Sequence, residues 1–190
     1  LIYVSAFLIP IALYMLIGVI LRLYPISDNT ILYSDMENQF ISFYTAFKHM
    51  LTGSSATSGA LTGALSSTNL AYTFSKNLGG DMIGFSAYYL QNPFLLILLL
   101  FPDEKLALGI FIMEILMLST AGLTFQVFIT RTFGRSSLIF STAYAMMGYS
   151  LAFFMLPIYF CNIILLPIVI MGLYMMLGLR KISPSPSPAI

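Results

Sequence analysis

Charge is scarce in this chain. Asp, Glu, Lys and Arg make up 8% of its 190 residues, against 59% hydrophobic. An ordinary soluble domain carries roughly a quarter charged residues, and the polar surface needed to wrap so much apolar side chain in water is missing. A water-soluble fold is therefore excluded; bilayer hydrocarbon takes the place of water as solvent for the excess. The formal net charge is only +1, which leaves no basic surface for nucleic acid. One cysteine, Cys161, excludes an internal disulfide and reads as a small packing hydrophobe. One histidine, His49, excludes histidine-clustered metal sites, and no histidine triad is expected. Walker loop, Rossmann glycine pattern, zinc motif and nucleophile elbow are all absent.

What is present is apolar sequence in span-sized lengths. A helical span needs about 20 mostly apolar residues. Residues 1–23, 106–130, 138–156 and 163–179 supply four such stretches, the last somewhat short. Pro10, inside the first, is tolerable where neighbouring helices satisfy the carbonyl it frees. Pro93–Phe101 is apolar but too short to cross, and reads as a re-entrant or surface helix. The expected class is an all-α, polytopic membrane protein with a long loop, 24–105, and a Ser-Pro tail, 183–190, that cannot be helical. Leu1 opens inside an apolar run with no small-residue cleavage site after it, so a signal peptide is a weak reading. The chain reads as part of something larger.

Charge placement orients the spans. Arg131 and Arg135 lie between the second and third, Arg180 and Lys181 after the fourth, with no acid near either pair. Basic short loops stay cytoplasmic, which predicts loop 24–105 outside. Arg22, near the outer end of the first span, is an exception able to snorkel to the headgroups.

The loop has its own organisation. Ser34-Asp35-Met36-Glu37 fits a capping box. Met36, Phe40, Phe43, Tyr44, Phe47 and Leu51 then recur at helical spacing, with Asp35, Asn38, Gln39, Ser42 and His49 opposite. Such a helix is expected to lie along the membrane, apolar side down. Gly53–Thr68 reads as a flexible loop. The run from Tyr72 to Asp81 makes a glycine turn into a short helix, Met82–Gln91, which Asn92-Pro93 ends.

Few side chains here can carry chemistry. Asp35, at a helix start on the water–lipid boundary, can accept a proton from a hydroxyl during group transfer, or can simply favour the helix dipole along with Glu37. A metal shared by Asp35 and Glu37 is not supported, since residues two apart on a helix point apart. Asp81 is a second acid or a helix cap. Lys76, Lys48 and Lys105 can pair with phosphate or remain solvated, and His49 reads as solvated. Glu114 lies within the second span, where an ionisable group is a functional hypothesis by default; the alternatives are a wet cavity or pairing with an outer lysine. The abundant Tyr and Phe fit interfacial belts and packing.

Several stretches together resemble a known family. Thr30-Ile-Leu-Tyr-Ser-Asp-Met-Glu-Asn-Gln39-Phe-Ile-Ser-Phe-Tyr-Thr-Ala-Phe47 is similar to the first outer loop of YfhO-type bacterial membrane proteins. So is the run from Phe74 through Lys76, Gly79-Gly80-Asp81 and Gln91-Asn92-Pro93 to Phe94. Further matches are Ala121–Phe125, Tyr144 with Gly148-Tyr-Ser150, and Leu166-Pro167. The resemblance covers nearly the whole chain, as the N-terminal part of a longer protein.

The resemblance implies a polytopic glycosyltransferase of the GT-C type. Such an enzyme moves a sugar from a polyprenyl-phosphate donor to a cell-envelope acceptor, such as teichoic or lipoteichoic acid, on the outer face of the bacterial plasma membrane. It implies Asp35 as the acidic group of the first outer loop, Gln39 beside it, and Asp81 and Lys76 lining the cleft. Membrane lipids, the lipid-linked sugar and the envelope polymer are the implied partners, with no cofactor. Two departures stand out: Tyr159-Phe-Cys-Asn162 where relatives are expected to carry an aspartate, and Glu114 where a basic residue is expected. The rival readings are a transporter or flippase module, which would use intramembrane groups such as Glu114, and a non-catalytic assembly subunit.

Overall fold

A computed structural model describes residues 1–30, 32, 35–52, 72–73, 80–81, 84, 87–88, 90–154 and 156–178. Ser34 of the expected capping box, the loop Gly53–Thr68, Lys76, Arg180, Lys181 and the Ser-Pro tail fall outside these residues, as does most of Met82–Gln91. Among the described residues helix dominates. The strands are two residue pairs, Tyr72–Thr73 and Gly80–Asp81, antiparallel with Tyr72 opposite Asp81. Three helices are long and apolar enough to cross a membrane, so the all-α, membrane-spanning class holds. The chain divides into two compact units, one of Leu1–Ile31 with Glu114–Ile190 and one of Leu32–Met113.

The first unit contains α1 (Ile2–Leu21), the later part of α3 (Leu106–Phe133), α4 (Leu138–Ala145), α5 (Gly148–Ala152) and α6 (Pro157–Met176). α1 buries Ala6, Pro10, Tyr14 and Gly18, one residue every fourth, which is the stripe a helix presents to a single neighbour. α1 packs on α4. Only 22% of the apolar stretch in each of α1 and α6 is buried, as expected of helices whose solvent is lipid.

Two interior prolines shape this packing. A helical proline has no N–H for the carbonyl four residues earlier. Pro10 thereby frees the carbonyl of Ala6, and Gly122 of α3 packs beside it: a Cβ at Gly122 would lie 2.8 Å from that oxygen. Pro167 likewise frees the carbonyl of Ile163, and the Tyr144 hydroxyl donates to that oxygen at 2.8 Å. The carbonyl freed by Pro167 is thus satisfied by a neighbouring helix, the condition under which prolines are tolerated in membrane spans, whereas Gly122 leaves room beside that of Ala6. Tyr144→Phe is expected to lower stability by about 1–2 kcal/mol, because it leaves a buried acceptor unpaired. In a Pro167→Ala background, where the helix can bond Ile163 itself, the same substitution should cost much less. Unfolding titrations of the four proteins in mixed micelles would measure this coupling.

The stretch expected as one span over 138–156 is broken. α4 closes where the Met146 N–H bonds back to Thr142 and Tyr144, Met147 is extended, and α5 restarts at Gly148. No proline marks the break. α4 is held by Tyr144, which stacks on Phe125 at 4.3 Å, and the chain after α5 by Phe154, which stacks on Tyr14 at 4.2 Å. Glycine, a weak helix former, stands where the two anchored pieces part.

The second unit joins a wide π-helical turn (Met36–Phe40), α2 (Ile41–Thr52), a 3-10 helix (Pro93–Leu100), a short turn (Asp103–Lys105) and the first residues of α3. Met36, Phe40 and Tyr44 are buried, and α2 packs on the 3-10 helix, whose Leu95 and Leu98 are buried too. The apolar side of this helix was expected to face lipid. Met36, Phe40 and Tyr44 are covered by protein instead, while Leu51 at the far end of the same stripe stays exposed. Asn92, expected with Pro93 to end the helix before it, also serves the one after it. Its side chain accepts from the Phe94 N–H at 3.0 Å, so it starts the 3-10 helix, with Pro93 in the first position that proline favours.

Candidate functional site on the acidic helix

Asp35 stands at the head of the π-helical turn, exposed, with helical backbone (φ −66°, ψ −26°). Its side chain caps no backbone amide. The Gln39 side-chain amide donates to Asp35 Oδ1 at 3.5 Å, a long contact that places both groups on one face. Glu37, Asn38 and Ser42 are also exposed, so this end of the helix carries polar groups outside and Met36 and Phe40 inside. π-Helical turns are uncommon and concentrate at functional sites. An exposed carboxylate beside an amide can orient a hydroxyl and accept its proton.

Asp81 behaves as a cap. It is exposed, and its Oδ2 accepts from the Gly84 N–H at 2.7 Å. A Cβ at Gly84 would lie 2.7 Å from the same oxygen, so a larger residue there would turn the Asp81 carboxylate aside. Lys76 lies outside the described residues.

The far end of α2 carries a polar cluster that local sequence spacing does not reveal. Lys48, read as solvated or phosphate-binding, is buried at 8% exposure. Its Nζ donates to Asp103 Oδ1 and to the Phe101 carbonyl, both at 2.5 Å. His49, read as solvated, is partly buried and shares a proton with Asp103 Oδ2 at 2.7 Å. Asp103 precedes the apolar run that begins at Leu106. Hydrogen bonds from Lys48 and then His49 hold its carboxyl below the usual carboxylate range. A carboxylate–histidine pair therefore exists where His49 reads from the sequence as solvated. The signal was weak because its members are more than fifty residues apart. Lys48 follows Asp35 by thirteen positions, about 20 Å along a helix, so the two polar places are separate.

Glu114 is buried at 2% exposure, and its Oε1 has no hydrogen-bond partner among the described residues. The described residues hold no group of three His, Cys, Asp or Glu placed to bind a metal.

No curated protein and no solved structure matches the chain. The family model described as bacterial membrane protein YfhO matches residues 5–184. With nearly the whole length matched, and with the acidic helix and both interior prolines inside that range, the chain belongs to the YfhO family of bacterial membrane proteins.

Proposed function

We propose that the protein works as a GT-C-like glycosyltransferase, moving a sugar from a polyprenyl-phosphate donor to a cell-envelope acceptor such as teichoic or lipoteichoic acid. The observation that carries this reading is the exposed Asp35–Gln39 pair. It sits on a helix buried along its other side and tied to the chain at its far end by Lys48 and Asp103. A proton acceptor on a rigid element is what transfer to a hydroxyl requires. Asp35 takes the acceptor's proton or orients its hydroxyl. The acceptor oxygen then bonds to the anomeric carbon as the bond to phosphate breaks, and polyprenyl phosphate leaves. Gln39 binds sugar or acceptor; Asp81 and Lys76 line the cleft, Lys76 toward phosphate.

The reaction calls for no cofactor. It places loop 24–105 on the extracytoplasmic side of the bacterial plasma membrane, with membrane lipid, lipid-linked sugar and envelope polymer as partners. Full-length protein in liposomes, given a radiolabelled polyprenyl-phosphate sugar and an envelope polymer, should move the label to the polymer. Label that stays on the lipid with every acceptor class would sink this reading. The break between α4 and α5 favours a second reading, a transporter module, which sugar or lipid flux without transfer would identify.

A further inference from the structure

The corner between α3 and α4 sets charge beside uncovered hydrocarbon. α3 ends where Gly134, at φ 66°, returns its N–H to the Thr130 carbonyl at 3.1 Å, the left-handed close that glycine favours. Three residues on, Ser137 opens α4, its Oγ accepting from the Phe140 N–H at 3.4 Å. Arg131, in the last turn of α3, and Arg135, within the corner, are both exposed.

These arginines are without counter-charges. Among the described residues neither makes an ion pair or a hydrogen bond, and both ion pairs present belong to Asp103. No acid follows Glu114 in the sequence, so α4, α5 and α6 carry nothing to neutralise them. Four residues of chain keep their Cα atoms within about 14 Å, near enough for two guanidinium groups to reach one phosphate.

The side chains around them are apolar. Phe133, between the two, is 56% exposed, and Ile139 and Phe140, in the first turn of α4, are 80% and 65% exposed. Phe133 is held by edge contacts with Phe128 at 5.7 Å and with Tyr174 of α6 at 6.1 Å. α4 buries Ser141 and Ala145, which leaves Ile139 and Phe140 turned away from the protein. The positive end of α4 opens at the same corner.

A soluble anion would gain nothing from three uncovered apolar side chains, and hydrocarbon alone nothing from two unpaired arginines. A lipid with a charged phosphate head satisfies both. Orientation of the spans needs only that the arginines stay on one side; their lack of partners and their apolar flanks are what make a site.

We propose that the α3–α4 corner binds an anionic phospholipid, its phosphate on Arg131 and Arg135 and its chains against Phe133, Ile139 and Phe140. The site does not depend on the transferase reading, because it uses none of the residues assigned to that reaction.

The test is photolabelling of the full-length protein in phosphatidylcholine liposomes. The probe is phosphatidylglycerol with a photoreactive group near its head, and mass spectrometry reads the label peptide by peptide. Label on peptides from Arg131 to Phe140 should exceed that from a matched phosphatidylcholine probe at least about fivefold, the factor for one arginine at an anionic headgroup. Arg131→Gln with Arg135→Gln should cut it to the phosphatidylcholine level and leave other peptides unchanged. Salt decides the matter if that variant misinserts: going from about 0.05 to about 0.5 M should remove most of the preference, because exposed charges are screened. Equal labelling by the two probes, label unchanged in the double variant, or a preference that salt leaves intact would each overturn the proposal. So would competition by inorganic phosphate as strong as that by unlabelled phosphatidylglycerol, which would mark a site for a free anion.

Discussion

In cells whose full-length protein carries Asp35→Asn, sugar transfer to the envelope polymer should fall at least about a hundredfold, the scale of a lost general base. Asparagine keeps the size of aspartate and can still accept from Gln39, but it cannot take a proton from a hydroxyl. Asp35 is exposed and caps nothing, so insertion and abundance should not change, since exposed substitutions of this kind alter stability by about 0.5 kcal/mol or less. Glu37→Gln, two positions along and also exposed, is the matched control and should leave transfer near normal. Mass analysis of envelope polymers reads both. Normal glycosylation in the Asp35→Asn cells would remove Asp35 from the reaction, and equal loss in both variants would point to the charge of the turn rather than to one carboxylate.

The largest structural effect is expected at Gly122. Its missing side chain lets α3 lie against the Ala6 carbonyl, Pro10 and Ala145, where an added Cβ would stand 2.8, 3.3 and 3.4 Å away. The nearest of these atoms is backbone in a helix and cannot turn aside. Gly122→Leu should therefore destabilise the protein by about 3 kcal/mol, the upper part of the overpacking range. Small residues at such crossings are how membrane helices approach closely. Gly172 is the contrast, since nothing lies within 4 Å of a Cβ built there. Gly172→Leu should be neutral, or stabilising by up to about 1 kcal/mol through helix propensity. Reversible unfolding in mixed micelles separates the two; equal stability of both variants would show that α3 does not cross the Ala6 carbonyl as described.

How far the sequence led depended on whether a feature is local. Period and composition placed the apolar helices and the stripe Met36, Phe40, Tyr44, because helical spacing is written in neighbouring residues. The same stripe could not say what covers it: lipid and the side chains of Pro93–Leu100 are equally apolar. The exposed face bearing Asp35 and Gln39 was legible for the same local reason. Lys48 and His49 were misread because their partner, Asp103, is brought to them by the fold. The break after Ala145 was hidden as well, since it follows from where Tyr144 and Phe154 are anchored rather than from a helix-breaking residue. Pro10 is tolerable within α1, as its sequence context predicts, yet the glycine that lies against the carbonyl it frees is over a hundred residues on.

The interrupted third segment also has a consequence for the lipid around it. The eight residues of α4 and the five of α5, at 1.5 Å per residue, give about 20 Å of helix, short of a hydrocarbon layer about 30 Å thick. A bilayer meets such a deficit by dimpling toward the protein. Headgroups beside α4 and α5 would then ride several ångströms deeper than elsewhere, shortening the climb for any lipid whose polar end must reach this flank of the molecule.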